Sequence, residues 1–295
     1  MIRKKRPQIM LHSIGIVYAI MCIIPFIIVV SASLSRPLDL SQQGYKIWPS
    51  ELSLNAYETI FKNPETILRS YGVTIFVTAA TVAFGLLFMS MVAFTLARQN
   101  CVFRRPLSFF FYFTMLFSGG LVPSYIWITQ YLKMQDTYWV MILPSLINVF
   151  YVFMIRTFFQ RLSTALYESA KIDGASEFTI YFRIALPLSL PVLATVAFFT
   201  AMGKWNDWTT GLYYLNKANL YPLQYLLYQI QQNIQTLLAA MNFTTSGMGA
   251  IPLEDIPGEN LLMAMAVVAS GPMLLVFPFF QKYFVAGLTV GAIKG

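Results

Sequence analysis

The chain has 295 residues, of which 57% are hydrophobic and only 11% charged, against roughly 25% charged in an ordinary soluble domain. With a mean hydropathy of +0.63, it reads as a membrane protein: one domain, 1–295, made of several spans. The net charge of +8 does not mark a nucleic-acid partner, because the basic residues are scattered and sit beside apolar runs.

Six runs are long and apolar enough to cross the hydrocarbon, which takes about 20 residues each. They lie near 12–34, 71–97, 107–131, 139–159, 187–210 and 261–281. The first follows MIRKKRP and ends on SAS, like a signal peptide, but its apolar part is too long and more spans follow. The expected fold is therefore all-α with six transmembrane helices.

Placing the N-terminus in the cytoplasm puts 13 of the 20 basic residues inside, among them Arg98, Arg104, Arg156, Lys171 and Lys282. Only Glu168, Asp173 and Glu177 of the 12 acidic residues fall on that side. This asymmetry predicts N-in, C-in topology.

Outside, Asn55 with Glu58 three residues later predicts a helix start. Tyr57, Ile60 and Phe61 would make it a short amphipathic helix at the interface. The long outer segment 211–260 is rich in Gln, Asn, Gly and Thr, turns within IPLEDIPGEN, and offers a surface to an external partner. Two spans are interrupted. FSGGLVPSY places Gly119, Gly120 and Pro123 past the middle of the third. This is either irregular backbone covered by protein or a water-filled cavity, or a packing kink. GKWNDW, 203–208, interrupts the fifth near its outer end.

Cys22 and Cys101, the only cysteines, and the lone His12 sit in or beside apolar runs. They build no disulfide framework, zinc spacing or other metal site. No phosphate-binding glycine loop, nucleophile elbow, H-E-x-x-H or dinucleotide fingerprint occurs. The chain is expected to catalyse nothing by itself and to hold no cofactor.

Residues 160–190 read as a cytoplasmic helix–turn–helix. Ser163 or Thr164 caps a first helix bearing Glu168. Small Ser169 and Ala170 allow another surface to approach, and Asp173-Gly174 turns the chain. A second helix, about Ala175 to Ala185, presents Phe178, Tyr181, Phe182 and Ile184. Pro187 and Pro191 suit the first turn of the next span and a bend just inside it.

This hairpin, 163–186, resembles the EAA motif of ATP-binding-cassette importer permeases through Glu168, Ala170, Gly174, Ile184, Leu186 and Pro187, with Ser169 replacing the middle alanine. Asp173-Gly174-Ala175 with Pro191, LNAY at 54–57, NVFYVFMIRTFF at 148–159 and YFVAGLTVGAIKG at 283–295 are similar to the carbohydrate class, the relatives of the smaller maltose permease subunit. FSGGLVP is similar to a subgroup linked to complex oligosaccharides, including those from acidic polysaccharides such as pectin or alginate.

The resemblance covers nearly the whole chain. It implies a type I importer permease in the bacterial cytoplasmic (inner) membrane, which moves a sugar and belongs to a heteromeric complex. The implied partners are a second homologous permease, two ATPase subunits that bind ATP and magnesium, an extracytoplasmic solute-binding protein and membrane lipids. Carried over by position, Glu168, Ser169, Ala170, Asp173 and Gly174 would dock on the ATPase, with Lys294 and Gly295 reaching the same interface. Because the hairpin reports the engine and not the cargo, a non-sugar solute stays an alternative, as does a membrane structural subunit without transport.

Lys204, Trp205, Asn206, Asp207 and Trp208 could line the translocation path, with aromatic rings stacking on sugars and Lys204 facing a uronate carboxylate. Gly119 and Gly120 are candidates for the same path. The competing reading of GKWNDW is an interfacial aromatic belt with a snorkelling lysine.

Overall fold

The computed structural model describes residues 5–62, 64–244 and 258–292. Arg3, Lys4, the turns expected within 251–257, Lys294 and Gly295 lie outside the described residues. Those described are mostly helical, without strands. An apolar medium requires this, because backbone groups must find partners within their own segment. Among the described residues three helices are long and apolar enough to span, Leu11–Ser33, Pro64–Ala97 and Glu259–Pro278. Three bent helix pairs pass the same test, which makes up to six crossings.

The chain separates into two compact units, one of residues 1–68 with 226–272 and the other of 69–225 with 273–295. In the first, α1 (Lys5–Ser33) exposes Ile14, Val17 and Tyr18 on one side and Ile16, Ile20 and Ile23 on the other, apolar all round as a lipid-facing helix is. Next, α2 (Pro37–Gln43) opens on a proline whose missing N–H costs nothing in a first turn. The expected helix at Asn55 is present as α3 (Asn55–Phe61), but the Asn55 side chain does not cap it. Instead Ser53 Oγ accepts from the Asn55 backbone N–H at 3.4 Å. Ala56 and Ile60 form the buried face, Tyr57 shares a 2.8 Å hydroxyl bond with Ser33, and Phe61 is exposed.

The second unit is built on α4 (Pro64–Ala97), from Arg69 onward. After it come α5 (Arg104–Leu116) and α6 (Leu121–Ile126). The α5 axis and the helical run Leu121–Tyr131 meet at 111°, so the break at Gly119-Gly120 is a sharp turn and not a packing kink. Gly120 has φ +88°, a left-handed conformation open to glycine at little cost. Then follow α7 (Tyr138–Ile142) and α8 (Val149–Arg161), which starts on Asn148; the Asn148 side chain accepts from the Phe150 and Tyr151 N–H groups.

The hairpin is α9 (Thr164–Ile172) and α10 (Glu177–Ile180), which continues as a π-type turn over Tyr181–Ala185 into α11 (Leu186–Leu188). It meets α12 (Leu190–Trp205) at 79°. Pro187 and Pro191 flank that bend, as expected, because neither ring nitrogen can donate to the preceding turn. A short α13 (Thr209–Tyr214) follows.

The segment 211–260, for which the sequence predicts a polar surface with turns and no helix, contains a 22-residue helix, α14 (Leu223–Thr244). Leu223, Leu226, Ile230 and Ile234 recur at helical spacing beneath the glutamines. The last helix is α15 (Glu259–Ala292).

Two apolar clusters hold the second unit together. Met89 and Phe94 of α4 pack with Ile155 and Phe159 of α8, Ile180 of the hairpin and Val196 of α12. Toward the other end of α4, Val73 and Val77 pack with Val140, Met141, Tyr214 and Leu220. The hairpin thus shares one continuous core with three helices, so displacing it loads them directly.

Candidate functional site: a polar cavity and a helical hairpin

A cavity of about 480 Å³ opens among α4, α8 and α12. Lys204 at the end of α12 is buried, and its ammonium donates to Asp207 Oδ2 at 2.8 Å and Ser145 Oγ at 3.2 Å. Asp207 also accepts from Thr209 Oγ1, Thr210 Oγ1 and the Thr210 backbone N–H, at 2.6 to 3.0 Å. Lysine carries three donors, so one N–H of Lys204 is left for another acceptor. Two wall hydroxyls, Thr81 Oγ1 and Thr200 Oγ1, are buried and have no partner among the described residues. A buried hydroxyl without a partner costs about 1–3 kcal/mol.

The site residues expected from sequence therefore divide. Lys204, Asn206, Asp207 and Trp208 line the cavity. Lys204 does not snorkel: it points inward and is ion-paired. Trp205 turns away, buried with its ring 6.4 Å from that of Tyr71. Asn206 bonds to the Met202 carbonyl and accepts from Gln224 at 3.4 Å. Gly119 and Gly120 are exposed and do not line this cavity. Sequence reasoning missed Thr81, Ser145, Asn148, Tyr151 and Thr200, which come from three distant segments. A lone hydroxyl in an apolar helix carries no local signal.

At the hairpin, Gly174 has φ +79° and ends α9 in a Schellman motif. The Ala175 N–H donates to the Ala170 carbonyl at 2.9 Å and the Gly174 N–H to that of Lys171 at 3.0 Å. Ser163 holds the cap position of α9 but makes no side-chain bond there; Ser176 caps α10, accepting from the Thr179 N–H at 3.2 Å. Glu168, Ser169, Asp173 and Gly174 are exposed. Ala170, expected to face a docking surface, is instead buried with Tyr167 against the protein's own core. Ile172 and Phe178, on either side of the turn, are 86% and 66% exposed, leaving an uncovered apolar tip.

Glu177 joins the hairpin to α4. It pairs with Lys171 at 2.9 Å and with Arg98 at 3.2 Å, and the Arg98 guanidinium lies 4.6 Å from the Tyr167 ring centroid. Burial raises the Glu177 pKa, but the bonds from Lys171 and Arg98 outweigh it and hold the carboxyl below its usual range. A separate carboxylate, Asp136, accepts from the backbone N–H groups of Asn216 and Lys217 and ties the 132–137 turn to the segment after α13.

Broken and continuous apolar helices, a polar cavity inside them and a helical hairpin in their core together define a membrane permease subunit. The chain belongs to the family described as binding-protein-dependent transport system inner membrane component, whose model matches residues 76–290. It is 42% identical over 273 residues to protein LplC of Bacillus subtilis (strain 168), across 92% of this chain and 90% of that one. It is 38% identical over 291 residues to the polygalacturonan/rhamnogalacturonan transport system permease protein YtcP of the same organism, across 98% of each.

Among solved structures it resembles a chain of a bacterial ABC transporter involved in the import of the acidic polysaccharide alginate. The TM-score is 0.78 at 25% identity, over 96% of this chain and 99% of that one. The protein is thus a bacterial inner-membrane permease subunit of type I fold, part of an ABC importer that also uses an ATPase and a solute-binding protein. It is the membrane subunit and not the ATPase.

Proposed function

We propose that this subunit imports an oligosaccharide and contacts it through the cavity around Lys204 and Asp207. The observation that carries the reading is the pair of unpartnered hydroxyls, Thr81 and Thr200, in a wall that also holds a buried ion pair and the rings of Tyr151 and Trp208. Sugars need such a mixture: paired donors and acceptors for ring hydroxyls and aromatic faces for the apolar side of the ring. The volume falls within the roughly 300–1,000 Å³ of small-molecule sites.

The acidic class, galacturonate- or uronate-containing chains, is favoured by the likeness to YtcP and to the alginate importer. The free third N–H of Lys204 is the group to meet a carboxylate. A neutral oligosaccharide is the second reading, because Asp207 already cancels the charge of Lys204.

In the same proposal the chain pairs with a second homologous permease and two ATPases, in N-in, C-in topology with six crossings. The grouping of loops supports it. Arg98, Lys171 and Glu177, all assigned inside, meet one another, while Asp136, Asn216 and Lys217, all assigned outside, meet separately. The exposed 118–127 turn is then covered by the second permease. The hairpin surface of Glu168, Ser169, Asp173 and Gly174, with Ile172 and Phe178 as its apolar tip, receives the ATPase.

The reconstituted complex with its binding protein decides the cargo. Unsaturated oligogalacturonates are expected to stimulate ATP hydrolysis, and neutral oligosaccharides of equal length to do so at least tenfold less at equal concentration (about 1.4 kcal/mol). Stimulation by neither class would remove the sugar reading.

A further inference from the structure

A second polar pocket, about 280 Å³, lies where the end of α4, the start of α5, the end of α8 and the outer face of α9 converge. Arg98, Arg104, Gln160, Lys171 and the carboxylate-bearing Glu168 line it. In the orientation that satisfies its neighbours, the Gln160 amide oxygen accepts from Arg104 Nη2 at 2.9 Å and from Arg156 Nε at 3.3 Å. Two guanidiniums therefore converge on one neutral oxygen. Among the described residues neither is ion-paired to a carboxylate. A third, Arg98, has its Nε–H buried without an acceptor.

Like charges brought this close are ordinarily held by an anion, and arginine forks match the oxygens of a phosphate. Glu177 is engaged by Arg98 and Lys171 and does not reach Arg104 or Arg156.

We infer that this pocket binds the phosphate of an anionic phospholipid, with Arg104 of its wall and the neighbouring Arg156, joined to it through Gln160, gripping the oxygens that Gln160 now mimics, and Arg98 and Lys171 also lining it. A lipid is favoured over a soluble phosphate by what lies next to the arginines. No residue of α5 is buried, and from Arg104 onward it exposes Leu107, Phe110, Phe113 and Leu116, an apolar surface along which acyl chains can lie. A basic pocket at the membrane boundary beside such a surface suits an acidic headgroup. The inference does not rest on the sugar reading, and the proposed orientation matters only for naming the inner leaflet. Because Arg98 and Lys171 also hold Glu177, a lipid seated there would bear on the hairpin's anchorage to α4.

The test uses the purified full chain in neutral detergent and native mass spectrometry with added phosphatidylglycerol or phosphatidylcholine. Phosphatidylglycerol is expected to be retained preferentially. Arg104→Gln and Arg156→Gln should each weaken that retention about tenfold, the size of one charged hydrogen bond. Arg105→Gln, which removes an adjacent exposed charge, should change it less than about twofold, a surface-charge effect. Arg104→Lys, which keeps the charge without the fork, should fall between and shows that the loss is not misfolding. Displacement of the lipid by millimolar inorganic phosphate would support the phosphate contact. Equal effects of Arg104→Gln and Arg105→Gln would overturn the inference. So would phosphatidylglycerol retention left unchanged by both Arg104→Gln and Arg156→Gln.

Discussion

The hairpin and the cavity lie in one compact unit and share α4, α8 and α12, yet they are built in opposite ways. The hairpin is a continuous stretch: two helices, a left-handed glycine, and prolines at the bend into α12. Its proposed coupling surface is exposed. The cavity takes its groups from widely separated segments, buries them, and keeps one ion pair and two unsatisfied hydroxyls inside. The difference suits the two jobs proposed for them. A coupling surface must be presented rigidly to another protein, whereas a translocation site must exchange partners with a passing solute.

Breaking the buried pair is the harshest way to probe this contrast. Asp207→Ala leaves the buried Lys204 without its counter-ion and should destabilise the protein by about 3–5 kcal/mol, read as a lowered melting temperature in detergent. The double variant Lys204→Met, Asp207→Leu should recover most of that stability while uptake stays impaired, since the polar contacts to solute are gone. Recovery of uptake along with stability would show that the pair only holds α12 and α13 together.

At the hairpin the expected effect is smaller and depends on pH. The Glu177 pKa is lowered on folding, so its contribution is complete above the ordinary value of 4.5 and is lost as pH falls through the lower folded value. Hydrogen exchange of α9 and α10 should therefore be flat from about pH 8 to about pH 5, after correction for intrinsic rates, and rise only in stronger acid. Glu177→Gln should remove that step and cost no more than about 1 kcal/mol, because half of the side chain is exposed.

The same contrast explains what was legible in the sequence. The hairpin could be read because its determinants are local: Asp173-Gly174 gives the turn, and Pro187 and Pro191 give the bend. The errors there were of orientation. Ala170 faces inward because it falls three residues after Tyr167, on the buried face of α9. Ser163 holds the cap position of α9 without the expected side-chain bond, whereas Ser176 does cap α10 through the Thr179 N–H. At the cavity only GKWNDW stood out, and its i, i+3 pair Lys204 and Asp207 could have been assigned to one face, with Trp205 on another. Thr81, Ser145 and Thr200 were beyond reach, because tertiary packing alone brings them together. The α14 helix was hidden by its glutamines although its apolar spacing was helical.

The most direct measurement compares the two regions in one reconstituted complex, recording ATPase co-purification together with the oligosaccharide dependence of ATP hydrolysis. Thr81→Val with Thr200→Val should leave ATPase binding intact and raise the concentration needed for half-stimulation about tenfold or more, as expected when buried polar partners of a ligand are lost. Gly174→Asp should do the reverse, losing the ATPase and all stimulated hydrolysis. If the threonine variants leave the oligosaccharide dependence unchanged, or Gly174→Asp retains a fully coupled ATPase, the division between a sugar-contacting cavity and an ATPase-receiving hairpin is wrong.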